Sequence, residues 1–104
     1  MIAITDTERW LVESIIKSRI PVCRVIAFGS RVNGTNSSAS DLDIAIDSGD
    51  NQPVPVWDIR EDFMESDIPF KVDVLDYQSI SDSFRKIIDK QNEELFDTRR
   101  KIDL

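Results

Sequence analysis

The chain has 104 residues, 40% hydrophobic and 32% charged, enough for a single core and for one expected domain over residues 1–104. Its formal charge of −7 leaves too little Lys and Arg for an unaided grip on nucleic acid, and no apolar run approaches the roughly 18–20 residues of a membrane helix. The absence of histidine excludes Ser-His-Asp and Cys-His catalysis and most zinc sites, while abundant Asp suits hard cations such as magnesium.

Residues 1–5 form too short an apolar stretch, ahead of Asp6, Glu8 and Arg9, to read as a secretory signal. The lone Cys23 has no internal partner for a disulfide, which favours a reducing cytoplasm. It reads as a small buried apolar residue leading into a strand rather than as a nucleophile.

Thr5-Asp6-Thr7-Glu8 has the form of a capping box, and Leu11, Val12, Ile15 and Ile16 then fall at helical spacing until Pro21 ends the helix. Residues 25–28, Val-Ile-Ala-Phe, are a short continuous apolar run expected to be a buried strand. A Gly-Ser turn at Gly29 and Ser30 follows, then one helical turn beginning at Ser30 and a polar loop over residues 33–40. Residues 41–47 alternate cleanly, with Leu42, Ile44 and Ile46 on one face and Asp41, Asp43, Ala45 and Asp47 on the other. Residues 48–51 break this strand. Val56, Ile59 and Phe63 mark a second helix, with Trp57 and Met64 beside the stripe. Residues 71–77 read as a third strand, with Val72 and Val74 towards the core and Asp73 sharing the opposite face with Lys71 and Leu75. Ile80, Phe84, Ile87 and Ile88 predict a last amphipathic helix, and residues 97–104 a charged, frayed tail. Trp10, Trp57, Phe63 and Phe84 are expected in the core, and Asp47, Asp50 and Asp76 at solvated or turn positions.

Gly29-Ser30 closes the first strand, and Asp41 and Asp43 open the second, so these groups converge only if the two strands are antiparallel neighbours. A helix between the second and third strands then allows a parallel crossover. The expected fold is α/β (α+β), a small mixed β-sheet with helices on one face and an acidic cleft on the other.

Two aspartates at i and i+2 on a strand share a face with Cα atoms roughly 6.5–7 Å apart. Such a pair matches catalytic metals about 3.5–4 Å apart. Without cations, Asp41, Asp43 and Asp73 repel one another; with Mg²⁺ and a triphosphate their clustering becomes favourable. Asp41 and Asp43 are assigned to both of two metal ions. Asp73 is assigned to the ion that binds the attacking hydroxyl, and is also a candidate proton acceptor. Gly29 allows close backbone approach, and Ser30 offers its hydroxyl and N–H to the β- and γ-phosphates. Arg31 is a candidate counter-charge for the triphosphate, Gly34 shapes the loop, and Ser40 is a candidate to orient the first carboxylate. Taken singly, Gly-Ser is a common turn and Asp-x-Asp a common solvent face; it is their order along the chain that carries meaning.

The set Gly29, Ser30, Arg31, Gly34, Ser40, Asp41, Asp43 and Asp73 resembles the motif of the minimal nucleotidyltransferases, small members of the DNA polymerase beta-like superfamily. The resemblance covers residues 25–77. It implies a mixed α/β sheet, dependence on Mg²⁺, and transfer of a nucleoside monophosphate from a triphosphate such as ATP with release of pyrophosphate. Many such small proteins are antitoxins paired with an all-helical HEPN-domain toxin, and some adenylylate a tyrosine of that toxin. The resemblance therefore implies transfer of AMP to a hydroxyl of a HEPN partner, within a homo- or hetero-oligomer. A nucleic-acid or membrane partner is not expected. The alternatives are a binding module that neutralises its partner by occlusion, and an enzyme with a small-molecule acceptor such as an aminoglycoside. The chain shows no separate domain to hold such an acceptor.

Overall fold

The computed structural model describes residues 2–37, 39–49 and 53–99. Helix α1, Asp6–Arg19, begins at the expected capping box: Thr5 Oγ1 accepts from Glu8 N at 3.1 Å, and Glu8 Oε1 accepts from Thr5 N at 2.9 Å. Strand β1 spans Arg24–Phe28, the short helix α2 Ser30–Asn33, and strand β2 Leu42–Asp47. Helix α3, Val56–Met64, leads to strand β3, Val72–Asp76. A 3-10 turn at Tyr77–Ser79, helix α4 at Asp82–Lys90 and strand β4 at Glu93–Asp97 complete the order.

The sheet order is β3-β2-β1-β4. β1 and β2 are antiparallel and place Phe28 opposite Asp43; β2 and β3 are parallel and place Asp43 opposite Asp73. This is the pairing required for the Gly29 turn to meet the acidic residues. On one face Val25, Ala27, Leu42, Ile44, Ile46, Val72 and Val74 pack with Val12 and Ile16 of α1 and Ile59 and Phe63 of α3. α1 is fastened to α3 by a forked ion pair, with Arg19 Nε donating to Asp62 Oδ2 at 2.8 Å and Nη2 to Oδ1 at 3.0 Å.

The second face is shared between the acidic residues and a helix. Ile88 of α4 is buried against Ile26 and Ala45, with Phe28, Leu75, Tyr77, Ile80 and Phe84 packed around them. Helices thus lie on both faces, because the small side chain of Ala45 leaves an apolar hollow two residues beyond Asp43 that α4 fills. Ile87, one position further round that helix, is exposed.

Strand β4 corrects the expectation of a tail starting at residue 97. Leu95 is buried, and after the strand Thr98 N donates to Cys23 O at 2.9 Å, while Thr98 Oγ1 donates to Pro21 O at 2.7 Å. The rest of the expected tail, residues 100–104, lies outside the described residues, as do Asp50 and Asn51 of the expected strand break. The tryptophans also differ from expectation: Trp10 and Trp57 are exposed, whereas Phe63 is buried and Phe84 stands edge-on to Phe28 at 6.0 Å. Trp57 flanks the Ile59–Phe63 stripe as expected, but its ring lies at the surface. Asp47 is not simply solvated, since Oδ1 accepts from Gln78 Nε2 at 2.7 Å and from Gly49 N at 3.0 Å. Asp76 is a turn residue as expected, accepting from Gln78 N at 3.0 Å.

Cys23 is fully buried, and burial is the main cause pushing its thiol up to about 11. A thiol reagent at pH 8 is expected to label Cys23 at least about 100-fold more slowly in the folded protein than in urea. Equal rates would show that this strand entrance opens readily. Among the described residues, no helix is long and apolar enough to cross a membrane.

Candidate active site

The centre of the site is the bend at the end of β1. Gly29 has φ 81° and ψ −157°, a conformation that side chains with a Cβ rarely adopt. Its carbonyl accepts from Val32 N and Asn33 N, both at 3.0 Å, which starts α2. A Cβ at this position would fall inside contact distance of Asp43 Oδ2 and lie 3.2 Å from Asp43 Cγ. Glycine is required here both by the backbone and by the carboxylate it faces. Gly34, in the left-handed region at φ 86°, closes the short helix with its N–H donating to Ser30 O at 3.1 Å.

Asp43 and Asp73 are direct neighbours in the parallel register and lie on the same face of the sheet; Asp41 is exposed just before β2 begins. Burial raises the Asp43 carboxyl above its ordinary range, the charges of Asp73 and then Asp41 raise it further, and Lys71 opposes them. The expected acids therefore share one electrostatic environment. Among the described residues, no trio of His, Cys, Asp or Glu stands closed up as a ready-made metal cage.

A raised carboxylate has a definite sign in folding. In the window above the ordinary value of 3.8 and up to the raised folded value, the folded state holds more protons than the unfolded one. Stability is accordingly lost as pH climbs through that window. Asp43→Asn removes this loss, so in metal-free buffer at pH 7 its melting temperature is expected to rise by about 2–5 °C, with the gain vanishing below the window. A fall in melting temperature at pH 7 would contradict the repulsion described.

A family model of polymerase beta nucleotidyltransferases matches residues 11–101. The chain belongs to the polymerase beta nucleotidyltransferase family. It is 42% identical over 88 residues, 84% of this chain and 77% of the relative, to the probable protein adenylyltransferase MntA of Haemophilus influenzae. It is similar to a toxin–antitoxin crystal structure with AMP-PNP, at 25% identity and a TM-score of 0.73 over 88% of this chain and 74% of that one. The same fold occurs in the complex of a tri-AMPylated Shewanella oneidensis HEPN toxin with its MNT antitoxin, at 22% identity and a TM-score of 0.66 over 89% of this chain and 72% of that one. The resemblance read from residues 25–77 is borne out.

Within this nucleotidyltransferase, Arg31, the candidate counter-charge for the triphosphate, is buried rather than a surface residue. It is 5% exposed, its Nε donates to Ser40 O at 3.0 Å, its Nη1 to Ala3 O at 2.6 Å, and its Cζ lies 4.1 Å from the Phe70 ring centroid. The guanidinium thus ties the N-terminal segment to the loop that delivers Asp41. Ser40 serves the same loop, its Oγ accepting from Ser37 N at 2.8 Å. This brace fixes the backbone immediately before the first carboxylate, Asp41.

Sequence reading missed Arg60. From α3 its Nη2 donates to Val74 O at 2.8 Å and meets Asp73 Oδ1 at 3.4 Å. No motif marks it, because the contact crosses the edge of the sheet from a helix that otherwise reads as an ordinary amphipathic segment.

Proposed function

We propose that the chain transfers AMP from ATP to a hydroxyl of a HEPN-domain partner and acts as its antitoxin in the cytoplasm. The observation that carries this reading is the side-by-side register of Asp43 and Asp73 against the hollow that Gly29 leaves open. The likeness to a probable protein adenylyltransferase and to a toxin–antitoxin holding AMP-PNP supports AMP as the group moved.

The donor set fits magnesium. Asp41, Asp43 and Asp73 offer hard oxygen ligands, burial and then the charges of Asp73 and Asp41 raise the Asp43 carboxyl, and a side chain at Gly29 would fill the space beside Asp43. Two Mg²⁺ ions, when bound, supply positive charge to the triphosphate and lower the pKa of the acceptor hydroxyl. Asp41 and Asp43 would hold both ions, and Asp73 would hold the one that activates the acceptor hydroxyl. Ser30 and the backbone of Gly29 bind and orient the β- and γ-phosphates. Asp73 takes the hydroxyl proton as the acceptor oxygen forms its bond to the α-phosphorus. The bond from the α-phosphorus to the bridging oxygen breaks, and pyrophosphate leaves with that electron pair. Arg31 and Ser40 act at a distance, holding the loop before Asp41.

The acceptor sits on a second protein in this reading, and the formal charge of −7 complements a basic partner. The test is to mix the chain with its helical partner, ATP and Mg²⁺ and to weigh the partner by intact mass spectrometry. The expected result is one or more added AMP groups, dependent on ATP and abolished by EDTA. Full neutralisation of the partner with no added mass would instead establish occlusion.

A further inference from the structure

We infer that Arg60 is a positioning residue for the third carboxylate: it reaches from α3 round the open edge of β3, holds Asp73 in place for transfer, and competes with cations for the carboxylate it holds. The inference rests on the reading of Asp73 as a site residue.

β3 is the outermost strand on its side of the sheet, so among the described residues its rim has no neighbouring strand. Arg60 occupies that rim. A single nitrogen, Nη2, serves both the Val74 carbonyl at 2.8 Å and Asp73 Oδ1 at 3.4 Å, which joins the strand backbone to the carboxylate beside it. The other side of the guanidinium faces Trp57, with Cζ 5.1 Å from the ring centroid. Trp57 is itself 80% exposed, so it covers the arginine from the solvent side without being part of the core.

The cost of this arrangement is visible. Arg60 Nε is buried with no hydrogen-bond partner among the described residues. An arginine placed only to satisfy its own donors would not leave an N–H dry. The contacts at the far end of the guanidinium, to Val74 and Asp73, hold the side chain where it is. The carboxylate is met through Oδ1, and its second oxygen stands outside that contact. Carboxylates that ligate cations are commonly held in this way by a hydrogen bond from behind. The positive charge that orients Asp73 also opposes the arrival of another cation, so the two effects carry opposite signs, and both can be measured.

The experiment compares wild type, Arg60→Met and Arg60→Lys by electron paramagnetic resonance of free Mn²⁺ over nucleotide-free protein, and by kcat and KM for ATP in partner adenylylation. Methionine keeps an apolar stem but no donors. In Arg60→Met, Mn²⁺ is expected to bind at least about threefold more tightly while kcat falls about 10–100-fold, with KM for ATP within about twofold of wild type. Arg60→Lys is expected to recover kcat to within about fivefold of wild type, since it restores charge and donors. In an Asp73→Asn background, Arg60→Met is expected to leave Mn²⁺ binding unchanged, because the effect passes through Asp73. A packing residue would weaken affinity and rate together and lower the melting temperature; that pattern overturns the inference, as does unchanged affinity or unchanged kcat. If wild type transfers no AMP, the proposed function fails on its own, and Mn²⁺ affinity alone decides: tighter binding in Arg60→Met supports the hold on Asp73, and unchanged or weaker binding overturns it.

Discussion

Replacing Asp41 and Asp43 together by alanine is expected to lower AMP transfer at least about 10³-fold while the protein stays folded. The activity loss follows because no other described group can take over: the chain contains no histidine, and Arg31 is buried against the carbonyls of Ala3 and Ser40. The fold should survive because Asp41 is exposed before β2, and Asp43 is a half-buried carboxylate whose charge is opposed by burial and by Asp73. Intact mass spectrometry of the partner measures the first half, and a thermal melt without metal measures the second. Persistent adenylylation would refute the assignment of both residues. Neutralisation of the partner by the double variant, with transfer gone, would separate the antitoxin effect from the chemistry.

The second large effect is expected at Gly29. Gly29→Ala places a Cβ at φ 81° and against Asp43 Oδ2. The backbone strain alone should cost about 1–3 kcal/mol. The collision can be relieved because Asp43 is a side chain that can turn away, but turning it moves a carboxylate out of the site. A displacement of about 1 Å at a reacting centre costs on the order of 100-fold in rate, and a loss of at least that size is expected. In an Asp43→Ala background the clash disappears and only the strain remains, so Gly29→Ala should destabilise that background less than it destabilises wild type. Equal destabilisation in both would show that Gly29 does not face Asp43.

How much of this could be read beforehand depends on the range of the interactions involved. Local signals were clear: Thr5 and Glu8 cap α1, Leu42, Ile44 and Ile46 face the core, and Gly29 has to meet Asp43, which sets β1 and β2 antiparallel. The parallel pairing of β2 with β3 followed from α3 lying between them. β4 was hidden because Glu93-Glu94-Leu95-Phe96-Asp97 carries one buried residue, Leu95, among charges, as an edge strand can. Trp57 is expected in the core because a large apolar side chain beside an apolar stripe favours burial; its ring instead stacks on Arg60 at the surface. The partners of Arg31 are illegible in the sequence for a related reason. A basic residue after a phosphate-binding turn suggests a phosphate contact, and only the tertiary structure turns its guanidinium back towards Ala3, Ser40 and Phe70. Arg60 had no local signal, since its link to Asp73 exists only once α3 lies along the rim of β3.

The most direct measurement of the central claim is a crystal of the chain soaked with Mn²⁺ and AMP-PNP, with the ions located by anomalous scattering. The expected result is manganese among the carboxylates of Asp41, Asp43 and Asp73, with the triphosphate against Gly29 and Ser30. Manganese bound elsewhere, or a triphosphate seated away from the Gly29 bend, would contradict it.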